Sequence, residues 1–219
     1  MDWSDAELKT DLADVAESLG REPPLPQFVI PANRFIQIRS KEKLKKSRRG
    51  IKALIKPENA RCIIPHLPAP GEHTHAILRG DFVLCDLIPT ILNERGHGLD
   101  LHVATLGLSP ANADMLVSLK QAGRISSITV LCSHYFQQVD KVTTYREVAA
   151  KLAAHGRLIV ARNHAKVICL PLKNGDAFVI AGSANLRSSD NCEQVTIFND
   201  PELVSFYRTW IEDMSTAAP

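Results

Sequence analysis

Two short apolar runs, Val167-Ile168-Cys169-Leu170 and Ala177 to Ala181, are joined by Lys173-Asn174-Gly175-Asp176. Asn-Gly between apolar runs is the strongest short-range hairpin signal, because the tightest turns need residues that accept positive φ. A chain that turns back here must bring the residues before the first run beside the residues after the second. Those flanks are Asn163-His164-Ala165-Lys166 and Gly182-Ser183-Ala184-Asn185. Read as part of the first strand, His164 and Lys166 share a face, because side chains alternate with period two. The fold-back therefore gathers an imidazole, an ammonium, a hydroxyl and a carboxamide at one end of a hairpin. That set suits a phosphodiester: a nucleophile, a fixed positive charge and neutral donors for the phosphoryl oxygens.

The pattern His-x-Lys, a spacer, then Gly-Ser-x-Asn resembles the HKD signature of the phospholipase D superfamily over roughly residues 158 to 198. The resemblance implies an α/β fold: a mixed, mostly parallel sheet with helices on both faces. It also implies that His164 attacks phosphorus to give a phosphohistidine, or serves as the acid, while Lys166 and Asn185 clamp the non-bridging oxygens. Ser183 would sit within reach of the site, and Glu193 would orient the imidazole. One position departs from the pattern. The aspartate usual five residues after the lysine is replaced by Pro171, with Asp176 further on in the turn. Residues 1 to 150 hold no second copy of the motif, and His73-Thr74-His75 lacks the lysine. A member of this family with one copy completes its site by pairing two chains, so a homodimer is implied.

Charge along the chain is sharply segregated. Asp2, Asp5, Glu7, Asp11, Asp14, Glu17 and Glu22 make the first segment acidic. Between 34 and 56 stand Arg34, Arg39, Lys41, Lys43, Lys45, Lys46, Arg48, Arg49, Lys52 and Lys56 against a single Glu42. Such a block attracts phosphates through counterion release. Together with Arg162 and Arg187, which flank the motif, it makes nucleic acid the expected partner. The chain divides into three segments: an acidic helix over 1–22, a linker and basic segment over 23–57, and a phospholipase D-like catalytic domain over 58–219.

Periodicity supplies the elements. Ser4 to Leu19 has helical spacing, with Ser4 and Glu7 as a capping box. Strands are expected at Phe28–Ile30, Phe35–Ile38, Ala60–Pro65, Leu99–Leu106, Ile125–Cys132 and Leu158–Ala161. Further strands are expected at the run through His164, the return run and Gln194–Phe198. Helices are expected at 81–95, broken or bent near Pro89, at 109–122 with Ser109 as cap and Pro110 at its first position, at 144–155, and from Asp200-Pro201 to about Met214. Alternation of this kind argues for a sheet covered on both faces.

The five scattered cysteines form no Cys-x-x-Cys pair and read as free thiols in a reducing, cytoplasmic setting. The N-terminus shows no apolar signal core, and no run approaches the roughly 18 apolar residues a membrane span needs. Cys62 with His66, His73, His75 or His134 matches no standard zinc spacing. No metal or other cofactor is expected. The resulting expectation is a metal-independent phosphodiesterase, a nuclease acting through a phosphohistidine in a homodimeric site. The alternative is a catalytically inactive phospholipase D-like module that binds nucleic acid or serves as a scaffold. A lipid phosphodiesterase fits least, since the chain is short and shows no membrane-binding stripe.

Overall fold

The structure, a computed structural model, describes residues 35–39, 60–79, 84–140, 142–186 and 192–215, with β1 described by its backbone. The expected acidic helix over 1–22, the strand at 28–30, most of the basic segment and Arg187 lie outside the described residues.

Among the described residues eight strands form one sheet. They are β1 (Phe35–Arg39), β2 (His73–Arg79), β3 (Asp100–Ala104), β4 (Ser127–Ser133), β5 (Arg157–Ala161), β6 (Val167–Pro171), β7 (Ala177–Gly182) and β8 (Cys192–Asn199). Their spatial order is β1-β2-β8-β7-β6-β3-β4-β5. Four helices accompany them: α1 (Leu87–Arg95), α2 (Pro110–Gln121), α3 (Val142–Leu152) and α4 (Pro201–Asp213).

The sheet is mixed and covered on both faces, as expected, but it is not mostly parallel. The pairs β1–β2, β3–β4 and β4–β5 are parallel, whereas β2–β8, β8–β7, β7–β6 and β6–β3 are antiparallel. Connection length explains the balance. Parallel neighbours need a crossover, and α2 and α3 supply one between β3, β4 and β5; the Asn-Gly hairpin and the short return into β8 can only run antiparallel. β1 comes from the segment expected as linker and basic arm, and it pairs in parallel with β2.

Side-chain alternation builds two cores. Leu101, Val103, Val130, Ile168, Leu170, Phe178, Ile180, Val195 and Ile197 point to one face, against Ile88, Ile91 and Leu92 of α1, Leu116 of α2 and Val148 and Leu152 of α3. Ala104, Leu131, Val167, Cys169 and Val179 point to the other, against Val204 and Ile211 of α4. Neighbours in sequence thus belong to different cores, as period two requires. All five cysteines are free, and burial pushes the thiols of Cys132 and Cys169 up to about 12. Among the described residues no helix is long and apolar enough to cross a membrane.

Helix starts reflect the local chemistry. The Ser109 hydroxyl accepts from Asn112 N, with Pro110 at the first position; the Asp200 carboxylate accepts from Glu202 N and Leu203 N ahead of Pro201. α1 starts at Leu87, after a 3-10 turn at Leu84–Asp86, so Pro89 lies in its first turn, where the missing N–H has no intrahelical partner to lose. Three expectations are corrected. Residues 60 to 66 form helical turns rather than a strand: Ile63 N and His66 N donate to Ala60 O and Ile63 O, a local pairing that Pro65 at a helix start favours. The segment 73–79 is a strand that its mixed histidine and apolar composition does not announce; the ladder with β8 stabilises it. And β6 begins at Val167, so His164 and Lys166 lie on the loop that enters the strand.

Two features bear directly on stability. His102 is 2% exposed, and its Nε2 lies 2.8 Å from Glu212 Oε1 on α4, while Arg157 donates to the other carboxylate oxygen. Burial pushes the Glu212 carboxyl up, but these two partners more than offset it and hold it below the usual carboxylate range. A carboxylate so depressed contributes stability above its unfolded-state pKa and loses it as pH falls through the folded-state value. Glu212→Gln is therefore expected to lower the urea midpoint at neutral pH and to match wild type in acid below the carboxylate range. The second feature is Gly182, where a Cβ would meet Gln194 O at 2.1 Å. Gly182→Ala must push β7 from β8 and is expected to destabilise by about 1–3 kcal/mol or more, read from the same urea titration.

Candidate functional site

The sheet brings one set of loops together. The ends of β3, β4 and β5 point the same way, and the antiparallel partners place the start of β6, the end of β7 and the start of β8 beside them. The register fixes this: Ser133 pairs with Ala161, Ala104 with Val167, Val167 with Ala181, and Gly182 with Val195. Loops at the carboxyl ends of parallel strands are where ligands of open α/β sheets usually bind.

The loop from β5 to β6 carries His164. Asn163 holds it from below. Its side chain is buried, its Nδ2 donates to Thr105 O at 3.0 Å, and its Oδ1 accepts from Ala165 N at 2.9 Å. One carboxamide thus ties the loop to the end of β3 and shapes its turn, while His164 next to it is exposed. Lys166 is 9% exposed, and its backbone oxygen accepts from Gly182 N at 3.2 Å. Its Nζ donates to His164 O at 2.6 Å and stands 2.9 Å from His164 Nδ1 and 3.4 Å from Nε2. The expected shared face of imidazole and ammonium is therefore observed, made by a loop rather than by strand alternation. Burial pulls the Lys166 pKa below the ordinary lysine value, and the nearby Glu193 carboxylate draws it partly back.

The loop after β7 carries the Gly-Ser-Ala-Asn element. Gly182 is required by the close approach of Gln194 O. Ser183 then closes the junction with β8: its N donates to Gln194 O at 2.9 Å, its Oγ accepts from Gln194 N at 3.0 Å, and the hydroxyl donates to Glu193 Oε2 at 2.5 Å. Ala184 and Leu186 are buried anchors, and Asn112 at the start of α2 donates to Leu186 O. Asn185 hangs between them. Its Oδ1 is buried and has no hydrogen-bond partner among the described residues. An orphaned buried carbonyl oxygen is uncommon and calls for an explanation.

His164 with Lys166, and Ser183 with Glu193, are thus in direct contact, and the Glu193 charge faces Lys166. The role expected of Glu193 is to orient the imidazole. Its hydrogen bond goes instead to Ser183, and the polar contacts of the His164 ring are with Lys166. Arg162 is exposed beside this site. Arg39 ends β1; Lys41, Lys43, Lys45, Lys46, Arg48, Arg49 and Arg187 lie outside the described residues.

Asp176 stands at the opposite end of the hairpin, about five strand residues and roughly 16 Å from the Lys166 position. Its carboxylate accepts from Asn199 Nδ2 at 2.8 Å and Asn174 Nδ2 at 3.1 Å, with Arg95 at 3.8 Å. It holds the turn and the start of β7 through Asn199 and Asn174. Pro171, at the end of β6 paired with Ala177, is equally remote.

Sequence reading passes over two sets of residues. Asn163 and Asn112 position the motif loops, and only the tertiary contacts reveal it. Ser133, His134 and Tyr135, together with Leu106, Arg162, Asn163 and His164, line a cleft of about 560 Å³. Among the described residues no group of three or more His, Cys, Asp or Glu is placed to hold a metal ion.

No family model matches the chain, and no curated protein matches it. Among solved structures the fold is similar to a phospholipase D family member, Nuc from Salmonella typhimurium, with TM-score 0.47 and 18% identity over 65% of this chain and 94% of that one. NucT from Helicobacter pylori gives TM-score 0.45 and 16% identity over 65% of this chain and 96% of that one. TrmBL2, an archaeal chromatin protein, gives TM-score 0.42 and 14% identity over 77% of this chain and 62% of that one. These are likenesses of chain path, and the chemistry of the site rests on its own side chains.

Proposed function

We propose that this chain is a metal-independent phosphodiesterase acting on nucleic acid, with His164 as nucleophile and Lys166 and Asn185 as the phosphate clamp. The observation that carries the reading is the buried Lys166 ammonium in contact with the exposed His164 ring. A positive charge withdrawn from water and aimed at an imidazole is a poor device for stability, since burial opposes it. It is a good one for a reaction that develops negative charge on phosphoryl oxygens.

In the resting arrangement the ammonium, which has only hydrogens to offer, occupies a lone pair of the His164 ring. A phosphodiester oxygen is a stronger acceptor. Drawing Lys166 onto it frees the ring nitrogen, so substrate binding and release of the nucleophile are one event. The freed lone pair forms an N–P bond as the P–O bond to the leaving sugar oxygen breaks. That oxygen takes a proton from a second imidazole, for which this chain's single motif implies the partner subunit's His164 in a homodimer. The same imidazole, now a base, takes a proton from water as the water oxygen displaces the His164 nitrogen. The P–N bond breaks and a phosphate monoester leaves. Ser183 and Glu193 keep β7 and β8 in register beneath the clamp and support the charge on Lys166. The basic stretch from Arg39 to Arg49, with Arg162 and Arg187, would meet the flanking phosphates.

Cleavage of labelled DNA and RNA in EDTA by wild type, with a loss of about 10³-fold or more in His164→Ala, is the expected result. Cleavage abolished by chelation would sink the mechanism. Salt-sensitive binding without turnover on any substrate would leave a binding module. The electrostatics add a pH test. Lys166 clamps while charged, and the clamp is lost as pH rises through its lowered pKa. Glu193 draws that pKa upward, so Glu193→Gln is expected to move the alkaline limb of the pH–rate profile to lower pH. An unmoved limb would show that Glu193 does not act through the lysine.

A further inference from the structure

The cleft beside His164 has features the phosphate chemistry does not use. Its volume of about 560 Å³ is in the range of sites that hold a nucleotide-sized ligand. Tyr135 lines it and is 50% exposed, a large ring left on the surface of a wall. Beneath it the backbone is fixed. Tyr135 N donates to Ser133 Oγ at 3.1 Å, and the neighbouring Phe136 is fully buried. The Phe136 ring fills the space where a side chain on Gly107 would be, since a Cβ there would meet it at 2.6 Å. The ring of Tyr145 packs edge-on against Phe136. His134 lines the same cleft, and its Nδ1 is buried with no partner among the described residues. Leu106 adds an apolar surface, and Arg162 adds an exposed guanidinium between the cleft and His164.

An aromatic face and a cation, both lining the cleft that His164 also lines, together describe a ligand that is flat and attached to a phosphate. We infer that this cleft is a subsite for one unpaired nucleobase next to the scissile phosphate. Tyr135 stacks on the base, and Arg162 contacts the adjoining phosphate. A base in a duplex is stacked and paired and cannot enter, whereas single-stranded DNA or RNA presents its bases to such platforms. The inference rests on the phosphodiesterase reading and names its substrate class as single-stranded nucleic acid.

Binding of end-labelled oligonucleotides by fluorescence anisotropy at one fixed salt concentration tests it. The probes are single-stranded DNA, single-stranded RNA, a blunt DNA duplex, and a single strand of the same length made of abasic sugar-phosphate. With wild type in EDTA at low temperature, the single strands are expected to bind more tightly than the duplex and the abasic strand. Tyr135→Ala is expected to weaken single-strand binding by about 5- to 150-fold, the usual worth of one stacked base, and to leave abasic and duplex binding where they were. Tyr135→Phe, which keeps the ring, is expected to restore the single-strand affinity. The DNA and RNA arms show which sugar the subsite accepts. Equal binding of duplex and single strand, or no effect of Tyr135→Ala, would overturn the subsite even if cleavage is confirmed. Base-dependent binding that Tyr135→Ala abolishes, with no turnover by wild type, would keep the subsite and sink the enzymatic reading. No binding of any probe at low salt would remove both.

Discussion

The pairing of β7 with β8 at Gly182 is the constraint on which the rest of the site depends. Two backbones approach there so closely that Gln194 O lies where any side chain would begin. Because of that approach, Ser183 can exchange hydrogen bonds with Gln194 through both its backbone and its hydroxyl, and the hydroxyl can still reach Glu193. On the other side of β7, Gly182 N donates to Lys166 O. A single glycine therefore couples the loop of the histidine and lysine to the strand that carries the carboxylate. A shift of register by one residue would turn Lys166 to the opposite face and break the arrangement entirely.

The electrostatics derive from that geometry. Lys166 is enclosed by the strand ends, and enclosure lowers its affinity for a proton while Glu193 raises it. The lysine is held between two opposing influences, burial and the Glu193 carboxylate, while its ammonium contacts the His164 ring. The orphaned oxygen of Asn185 and the orphaned nitrogen of His134 belong to the same end of the sheet. Polar atoms buried without partners are uncommon in folded proteins. By contrast, the buried His102 is satisfied within the chain by Glu212, a contact that ties α4 to the sheet. The two cases show how burial and partnership separate a structural histidine from a chemically available one.

Much of the helical framework is legible from local chemistry. Ser109-Pro110 and Asp200-Pro201 mark helix starts because their caps and fixed φ act within one turn. The hairpin 167–182 is legible because Asn-Gly permits the turn that it needs. The strand at 73–79 is not. Its sequence carries no strong alternation, and besides β1 its partner is β8, more than a hundred residues further along the chain. The segment 60–66 misleads in the opposite direction: an apolar run reads as a strand, but here no ladder receives it and local turns win. The parallel majority suggested by alternating elements fails because β6–β7 and β7–β8 are joined by short returns that only antiparallel pairing accommodates, and β8 and β6 also run antiparallel to β2 and β3.

At the site, the sequence alone determined that the His-x-Lys and Gly-Ser-x-Asn flanks would lie side by side, since a hairpin must bring its two flanks together whatever surrounds it. His164, Lys166, Ser183 and Asn185 were readable for that reason. Only the tertiary structure decided their state. That Lys166 is buried, that Glu193 faces it while bonding Ser183, and that Asp176 is bound in a turn at the far end all depend on neighbours distant in sequence. The cleft of His134 and Tyr135 is likewise a product of assembly, because β4 and β5 end side by side only when the sheet forms. Local patterns specify what a side chain is and what lies within a turn of it; solvent exposure, charge and partnership are set by the whole fold.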